Sequence, residues 1–310
     1  MCNFFLKKIF FYLALLCLCS GGYCHAQNND TGSVFKFPVQ LDAVTVKSGF
    51  DINAFIRRVQ SDTSFYKAFK NLHFVPYTAV NDIKAYDKDG ALTASLHSRT
   101  KQHINKKCRN TEVLEQQVTG DFYKSNGDYN YYTAGLFDHL FFAAKPVCNE
   151  SDIVAGSMER QGSGEMEKST YELKQLIFNP GSKVSGIPFM GDRASIFEEG
   201  EAEKYDFKIT QELYNGEACY VFKIIPKAGY EHSVIYNELT TWFRKSDYSI
   251  VARDYSLSYH TLVYDFDVRM KVRMQQQDTK LYPTFISYDG NWHILSKRRE
   301  RVKFSIAITY

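Results

Sequence analysis

The chain has 310 residues, with 38 lysines and arginines against 35 aspartates and glutamates. A formal charge of only +3 makes no electrostatic case for nucleic acid as a partner. The length suits one large domain or two small ones.

Residues 1–26 hold Lys7 and Lys8, then an apolar run from Ile9 to Cys19, then small and polar residues. That is the layout of a secretory signal peptide, and the run is well short of the ~20 residues needed to span a bilayer. Cys24 and Ala26 supply the small residues that flank a cut, so cleavage is expected after Ala26. A lipidated cysteine would want a small residue just before it, whereas Leu16, Leu18 and Tyr23 occupy those places. Cleavage removes four cysteines and two lysines, so the formal charge falls from +3 to +1 and Cys108, Cys148 and Cys219 remain. Three cysteines allow one disulfide and one free thiol. Cys108 and Cys148 lie in polar surroundings and are the expected pair; Cys219 sits within a strand pattern and reads as an inert buried thiol. No later apolar run is long enough for a membrane helix.

Asp51 can cap a helix whose Ile52, Phe55, Ile56 and Val59 form one stripe. Phe65, Phe69 and Leu72 extend that stripe after a break at Ser61-Asp62. Around Asp89-Gly90, Ile83 and Ala85 meet Leu96 and Ala94 on one face of a hairpin. Asp87-Lys88-Asp89-Gly90 has the look of a calcium loop but lacks its downstream acidic ligand, so a plain turn is expected. Leu136, Phe137, Leu140 and Phe141 predict a second apolar helix. Residues 149–168 are poor in bulky apolar groups and rich in Gly and Ser, which predicts a long mobile loop or a boundary between halves. Tyr171, Leu173, Leu176 and Ile177 fit a short third helix.

Residues 177–197 are punctuated by Pro180-Gly181, Gly186, Pro188 and Gly191, yet carry Ile187, Phe189 and Met190 together. Exposed loops do not ordinarily present such a tip. Either it plugs into the core or it closes over an apolar cavity as a lid.

Asn215-Gly216 supplies the positive φ angles of a two-residue turn. With that turn, Leu213 faces Ala218, Ile209 faces Phe222 and Phe207 faces Ile224, all on one side, with Gln211 opposite Tyr220. A slip of one residue would scatter these pairs over both faces. Residues 239–244 and 248–258 form another pair around Lys245-Ser246-Asp247. Further on, Tyr264, Phe266, Val268, Met270, Val272 and Met274 share one face, and Asp265, Asp267, Arg269, Lys271 and Arg273 the other. Asp289-Gly290 predicts a further two-residue turn, with Phe285 facing Ile294 and Ser287 facing Trp292. Pro283 suits an edge or a bulge. At the end, Val302, Phe304, Ile306, Ile308 and Tyr310 alternate with Arg301, Lys303 and Ser305. The basic cluster Lys297, Arg298, Arg299, Arg301 and Lys303 fits either anionic lipid headgroups or the protective outer face of a terminal edge strand. Strands joined by short turns, apolar on one face and charged on the other, mean an antiparallel meander.

Catalytic signatures are missing: there is no H-E-x-x-H, G-x-S-x-G or P-loop, and no paired C-x-x-C beyond residue 26. His73, His97, His103, His139, His232, His260 and His293 are scattered without metal-ligand spacing. Asp265 and Asp267 could form a carboxylate pair, but Arg269 and Lys271 beside them fit a solvated, charge-balanced strand.

Leu239-Thr240-Thr241-Trp242-Phe243 followed by Ser249-Ile250-Val251-Ala252-Arg253 is similar to a hairpin of the LolA/LolB-like family, and the resemblance is clearest over residues 200–310. It implies an incomplete, strongly curved sheet closed by helices, with lipid acyl chains held on the concave side. The family's basic residue that controls lipid release has Arg253 as its candidate position. Val39-Gln40-Leu41-Asp42-Ala43-Val44-Thr45-Val46 resembles a short strand that follows the signal peptide in envelope proteins of the Bacteroidetes type, which implies a Gram-negative periplasm.

The expectation is therefore an α+β fold, a large curved antiparallel sheet or half-barrel with a few helices on its concave face, over residues 27–310. Phe207, Ile209, Phe222, Phe266, Val268 and Met270 would line an apolar groove for a lipid or lipoprotein cargo, under a lid at Ile187, Phe189 and Met190. An outer-membrane partner would fit that role; no catalytic residue, metal or cofactor is expected. The alternative is a structural or assembly protein of the envelope with a self-filled core, and an unrecognised hydrolase is a third reading.

Overall fold

The computed structural model describes residues 35–42, 50–150, 178–181, 193–262, 264–294 and 298–310. The fold below lies within one compact unit, Lys36–Tyr310. Its strands are β1 (Val39–Leu41), β2 (Tyr77–Tyr86), β3 (Leu92–Asn105), β4 (Cys108–Gly120), β5 (Val147–Cys148) and β6 (Tyr205–Tyr214). They continue as β7 (Glu217–Pro226), β8 (Tyr236–Arg244), β9 (Ile250–His260), β10 (Tyr264–Gln277), β11 (Lys280–Ile294) and β12 (Glu300–Thr309). Among the described residues, three helices of eight or ten residues accompany them: α1 (Ile52–Ser61), α2 (Ser64–Asn71) and α3 (Tyr132–Phe141).

All twelve strands form one open sheet in the order β1-β6-β7-β8-β9-β10-β11-β12-β2-β3-β4-β5. Every pairing is antiparallel except β1 with β6. This is the expected α+β half-barrel. Two meanders, β6–β12 and β2–β4, are stitched together by the pairing of β12 with β2, from Arg301 opposite Tyr86 to Thr309 opposite Thr78. The outermost strands have three and two residues. Edges that short offer little backbone to another chain.

The local chemistry sets the registers. At Asn215-Gly216 both residues have positive φ, 50° and 83°, and the partners are Leu213–Ala218, Ile209–Phe222 and Phe207–Ile224 as expected. In β2–β3, Ile83 pairs with Leu96 and Ala85 with Ala94. Asp87 takes two backbone protons on Oδ1, from Asp89 and Ala91, both at 2.9 Å. That carboxylate builds the turn. Even-numbered residues of β10 from Phe266 to Met274 are buried, as are Val302, Phe304, Ile306 and Ile308 of β12.

Two expectations are overturned. Asp289-Gly290 is not a turn: β11 runs unbroken from Lys280 to Ile294, with Asp289 opposite both Arg269 and Lys303. The turn lies instead at Asp278-Thr279, where Asp278 takes a φ of 52°. Gly290 serves close approach, because a methyl group there would run into the phenol ring of Tyr288. Pro283 sits at the bulge where Arg273 pairs with Phe285 but Met274 with Pro283. Nor is β12 an edge strand, since it lies between β11 and β2. Two bases of the cluster are bound across strands instead, Lys303 of β12 to Asp289 at 3.1 Å and Arg299, just before β12, to Asp265 and Asn291. Residues 1–34, most of the 149–168 stretch, the residues of the expected helix at 171–177 and Lys297 lie outside the described residues.

Candidate functional site

The helices give the sheet's apolar face its cover. Asp51 accepts from the Ala54 amide at 2.9 Å and starts α1, which turns Phe55 and Ile56 into the protein. Asp62 ends that helix through its amide on Val59 and opens α2 by accepting from Ser64 at 2.6 Å. The expected break at Ser61-Asp62 is thus a reciprocal cap. Asn71 fixes α2 on β11 by donating to the Leu281 carbonyl at 2.9 Å. No side chain of its own caps α3. Glu300 on β12 does so from a distance, accepting from Tyr132 N at 2.6 Å and from Thr133 N at 3.0 Å. Trp292 completes that joint, its Nε1 donating to Thr133 Oγ1 at 2.7 Å beside the Tyr132 ring.

On this face the six residues expected to line a groove are present, at 0% to 6% exposure. Phe207 and Phe222 stack at 6.2 Å, with Ile209 beside them on β6. Phe55 of α1 meets Phe222 and Phe243 edge-on at 5.7 and 5.2 Å. Phe197, from an irregular stretch, stacks over both Phe207 and Phe222. Phe266, Val268 and Met270 share the face on β10 but stand three strands away from β7, across β8 and β9. The expected lining is therefore two patches, one of them covered by the chain's own rings. Ile187, Phe189 and Met190 lie outside the described residues. The two ends of their segment are described, and both are buried. Phe178 wedges between Phe69 of α2 at 4.5 Å and Phe141 of α3 at 6.5 Å. Ala194 and Ile196 are inaccessible to solvent, and Ile196 presses so closely on Gly181 that a Cβ there would lie 2.9 Å away.

Arg253 also points into this face. It lies opposite Thr241 and Val272, its guanidinium 4.2 Å from the centre of the Phe65 ring and its Nε donating to Thr241 Oγ1 at 2.9 Å. Burial lowers its pKa, opposed by the charge of Asp62. An arginine in an apolar layer is held there by the ring beneath it.

A second polar group closes the other end of the face. Arg109 of β4 is bidentate to Glu150, through Nε at 2.6 Å and Nη2 at 3.3 Å, and His73 Nδ1 lies 2.9 Å from the same carboxylate. Burial pushes the Glu150 carboxyl up, but the hydrogen bonds and charges of His73 and Arg109 outweigh it and bring it to about 2. Next to it the Tyr77 hydroxyl donates to the Phe141 carbonyl at 3.1 Å, and burial raises its pKa to about 12. The Cys108–Cys148 disulfide joins β4 and β5 at this point, and Cys219 is free and buried elsewhere. Nothing in the order of residues 73, 109 and 150 announces this group, because it forms only when the sheet closes.

Asp265 and Asp267 face solvent beside His260, at 2.7 and 3.6 Å. Among the described residues, no group of three or more His, Cys, Asp or Glu is placed to hold a metal ion, and no helix is long and apolar enough to cross a membrane.

No protein-family model matches the chain, and no curated protein matches it. Solved structures similar to it include an outer membrane lipoprotein-sorting domain from Vibrio parahaemolyticus. That match has 13% identity over 83% of this chain and 88% of the other, with a TM-score of 0.25. A DUF1329 family protein from Desulfovibrio piger matches at 16% identity over 85% and 91%, with a TM-score of 0.24. Lipovitellin matches at 7% identity over 75% of this chain and 24% of its own, with a TM-score of 0.27. Scores of this size carry no argument about what the chain does.

Proposed function

We propose that this is an exported, non-enzymatic binding or carrier protein for an apolar ligand, a lipid or lipoprotein acyl chain, held against the inner face of the sheet. The observation that carries this reading is the nature of the cover over that face. Part of it is helix, with Phe178 helical just before Asn179-Pro180-Gly181, but Phe197 at the other end of the same Pro- and Gly-rich segment comes from a short irregular stretch. An acyl chain that replaces such rings exchanges one apolar contact for another, and moving the stretch that carries Phe197 disrupts no helical hydrogen bonds. Each methylene taken out of water then contributes about 0.8 kcal/mol without any specific chemistry. Export to the periplasm of a Gram-negative cell, after cleavage at Ala26, and delivery to an outer-membrane partner belong to the same reading.

The burial of all six lining residues favours a second reading, a structural or assembly protein of the envelope whose sheet face is filled by its own side chains. Native mass spectrometry of protein purified from its own cells separates the two. A carrier is expected to arrive with lipid mass attached, and a Phe178→Ala/Phe197→Ala variant should hold more of it. Recovery of the bare polypeptide mass from every preparation, wild type and variant alike, would sink the carrier reading.

A further inference from the structure

Two buried side chains at the β2–β4 end of the inner face have hydrogen-bonding capacity left over, and both converge on one turn. Gln102 is fully buried; its Nε2 donates to the carbonyls of Leu72 at 2.6 Å and Val75 at 2.7 Å, while its Oε1 has no partner. Arg109 is 4% exposed; Nε and Nη2 engage Glu150, while Nη1 has no partner. Glu150 in turn binds His73, which belongs to the same 3-10 turn, Leu72–Phe74. Gln102 lies opposite Thr111 and Ile104 opposite Arg109, so the two side chains share a face two positions apart on neighbouring strands. Diagonal neighbours at that spacing are within reach of long side chains. Buried polar atoms are almost always paired in folded proteins, so one orphan donor beside one orphan acceptor marks a place for a guest.

The chemistry of the guest follows from charge. An ionised carboxylate or phosphodiester head only accepts, so it would leave Gln102 Oε1 unpaired and set a second anion beside Glu150. A neutral hydroxyl carries one acceptor oxygen and one proton, matching what is missing. Beside this place lie Tyr77 and Phe141, and Phe141 leads to Phe178 between α2 and α3. We propose that the 72–75 turn is the head-group subsite for a neutral, hydroxyl-headed lipid. Its oxygen accepts from Arg109 Nη1, its proton is donated to Gln102 Oε1, and its alkyl chain takes the place of Phe178 against Phe69 and Phe141. The inference rests on the carrier reading above and names the class of ligand for it.

Displacement of a bound naphthylamine fluorophore by dodecanol and by dodecyl methyl ether tests it on the full chain. The ether keeps the acceptor oxygen and lacks the proton. Wild-type protein is expected to take dodecanol at least tenfold more tightly than the ether. That preference should collapse to within about twofold in an Arg109→Met/Glu150→Gln variant, which removes the orphan donor without stranding a charge. Equal affinity for alcohol and ether in the wild type overturns the subsite, reduces the orphans to the hosts of a buried water, and leaves the carrier reading standing. A preference that persists in the variant also overturns it. Displacement by neither compound removes both. The wild-type comparison needs no substitution, so failure of the variant to fold does not protect the proposal.

Discussion

Glu150 is ionised in the fold because His73 and Arg109 both lie against its carboxylate. Its pKa falls from 4.5 in the free side chain to about 2 in the fold, so the unfolded chain binds the proton more readily. The stabilisation is therefore complete above about pH 4.5 and is lost as pH falls toward 2. The group is a quarter exposed, so the loss should be on the order of 2 kcal/mol rather than the full value of the shift. Urea unfolding at pH 6 and pH 3 should show a little over half of this fall in wild type and a flatter profile in Glu150→Gln; parallel profiles would remove the carboxylate from the account. Gly290 makes the opposite kind of demand. Alanine in place of a strand glycine normally gains about 0.5–1 kcal/mol. Here the new methyl would collide with the buried Tyr288 ring, so Gly290→Ala is expected to lose about 1–3 kcal/mol instead. A Tyr288→Ala background should absorb most of that loss, and thermal unfolding of the four proteins in the cycle measures it. An unchanged penalty in that background would put its cause elsewhere.

The same glycine shows how far elements can be read from sequence. Asn215-Gly216 and Asp89-Gly90 were legible because turn chemistry and alternation agree: the apolar pairs fall on one face only if those residues turn. At Asp289-Gly290 they disagree. Ile286, Tyr288, Trp292 and Ile294 are all even-numbered, so the apolar parity runs straight through the supposed turn, as in a single strand. A two-residue hairpin flips that parity. Glycine there answers a neighbouring ring rather than a positive φ, and only the ring's position tells the two uses apart. The break between α1 and α2 was legible for a related reason, since Asp62 caps in both directions. The cap of α3 was not, because Glu300 reaches it across 167 residues of chain. At β4–β5, the disulfide closes a loop of 40 residues. Loop closure of that length predicts a loss of about 4 kcal/mol for Cys108→Ser/Cys148→Ser, with strain and residual structure reducing it. The backbone bond from Thr111 to Ala143 at 2.8 Å survives the change and should keep β5 near β4. Chemical denaturation of the two proteins without reductant gives the difference; equal midpoints would mean the bridge closes no loop that the unfolded chain resists.

On the scale of the whole molecule, the apolar face was readable and its occupancy was not. Alternation identifies Phe207, Phe222, Phe266 and Met270 as facing one way, but what lies over them depends on Phe55, Phe178 and Phe197, which are distant in the chain. The polar group of His73, Arg109 and Glu150 was hidden for the same reason. Sheet order decides both, and that order hinges on one strand. Among the described residues, β12 is the sole sheet contact between the β6–β11 meander and β2, and its Val302, Phe304, Ile306 and Ile308 are buried. Phe304 stacks on Phe137 at 4.1 Å and on Phe141 at 5.8 Å. The helices do not bridge the halves equally, since α1 and α2 pack on β7–β11 while α3 packs on β11 and β12 and takes its cap from Glu300 of β12. A chain ending at Arg298 therefore loses the support of β2, β3 and α3 together, whereas β6–β10 keep their turns, registers and helical cover. Hydrogen exchange followed by mass spectrometry should find residues 77–118 exchanging as an unfolded chain in that truncation, with residues 205–274 still protected. Protection of 77–118 at wild-type level would mean that the β2–β4 meander folds without its partner strand, and that the two halves are held together by something other than β12.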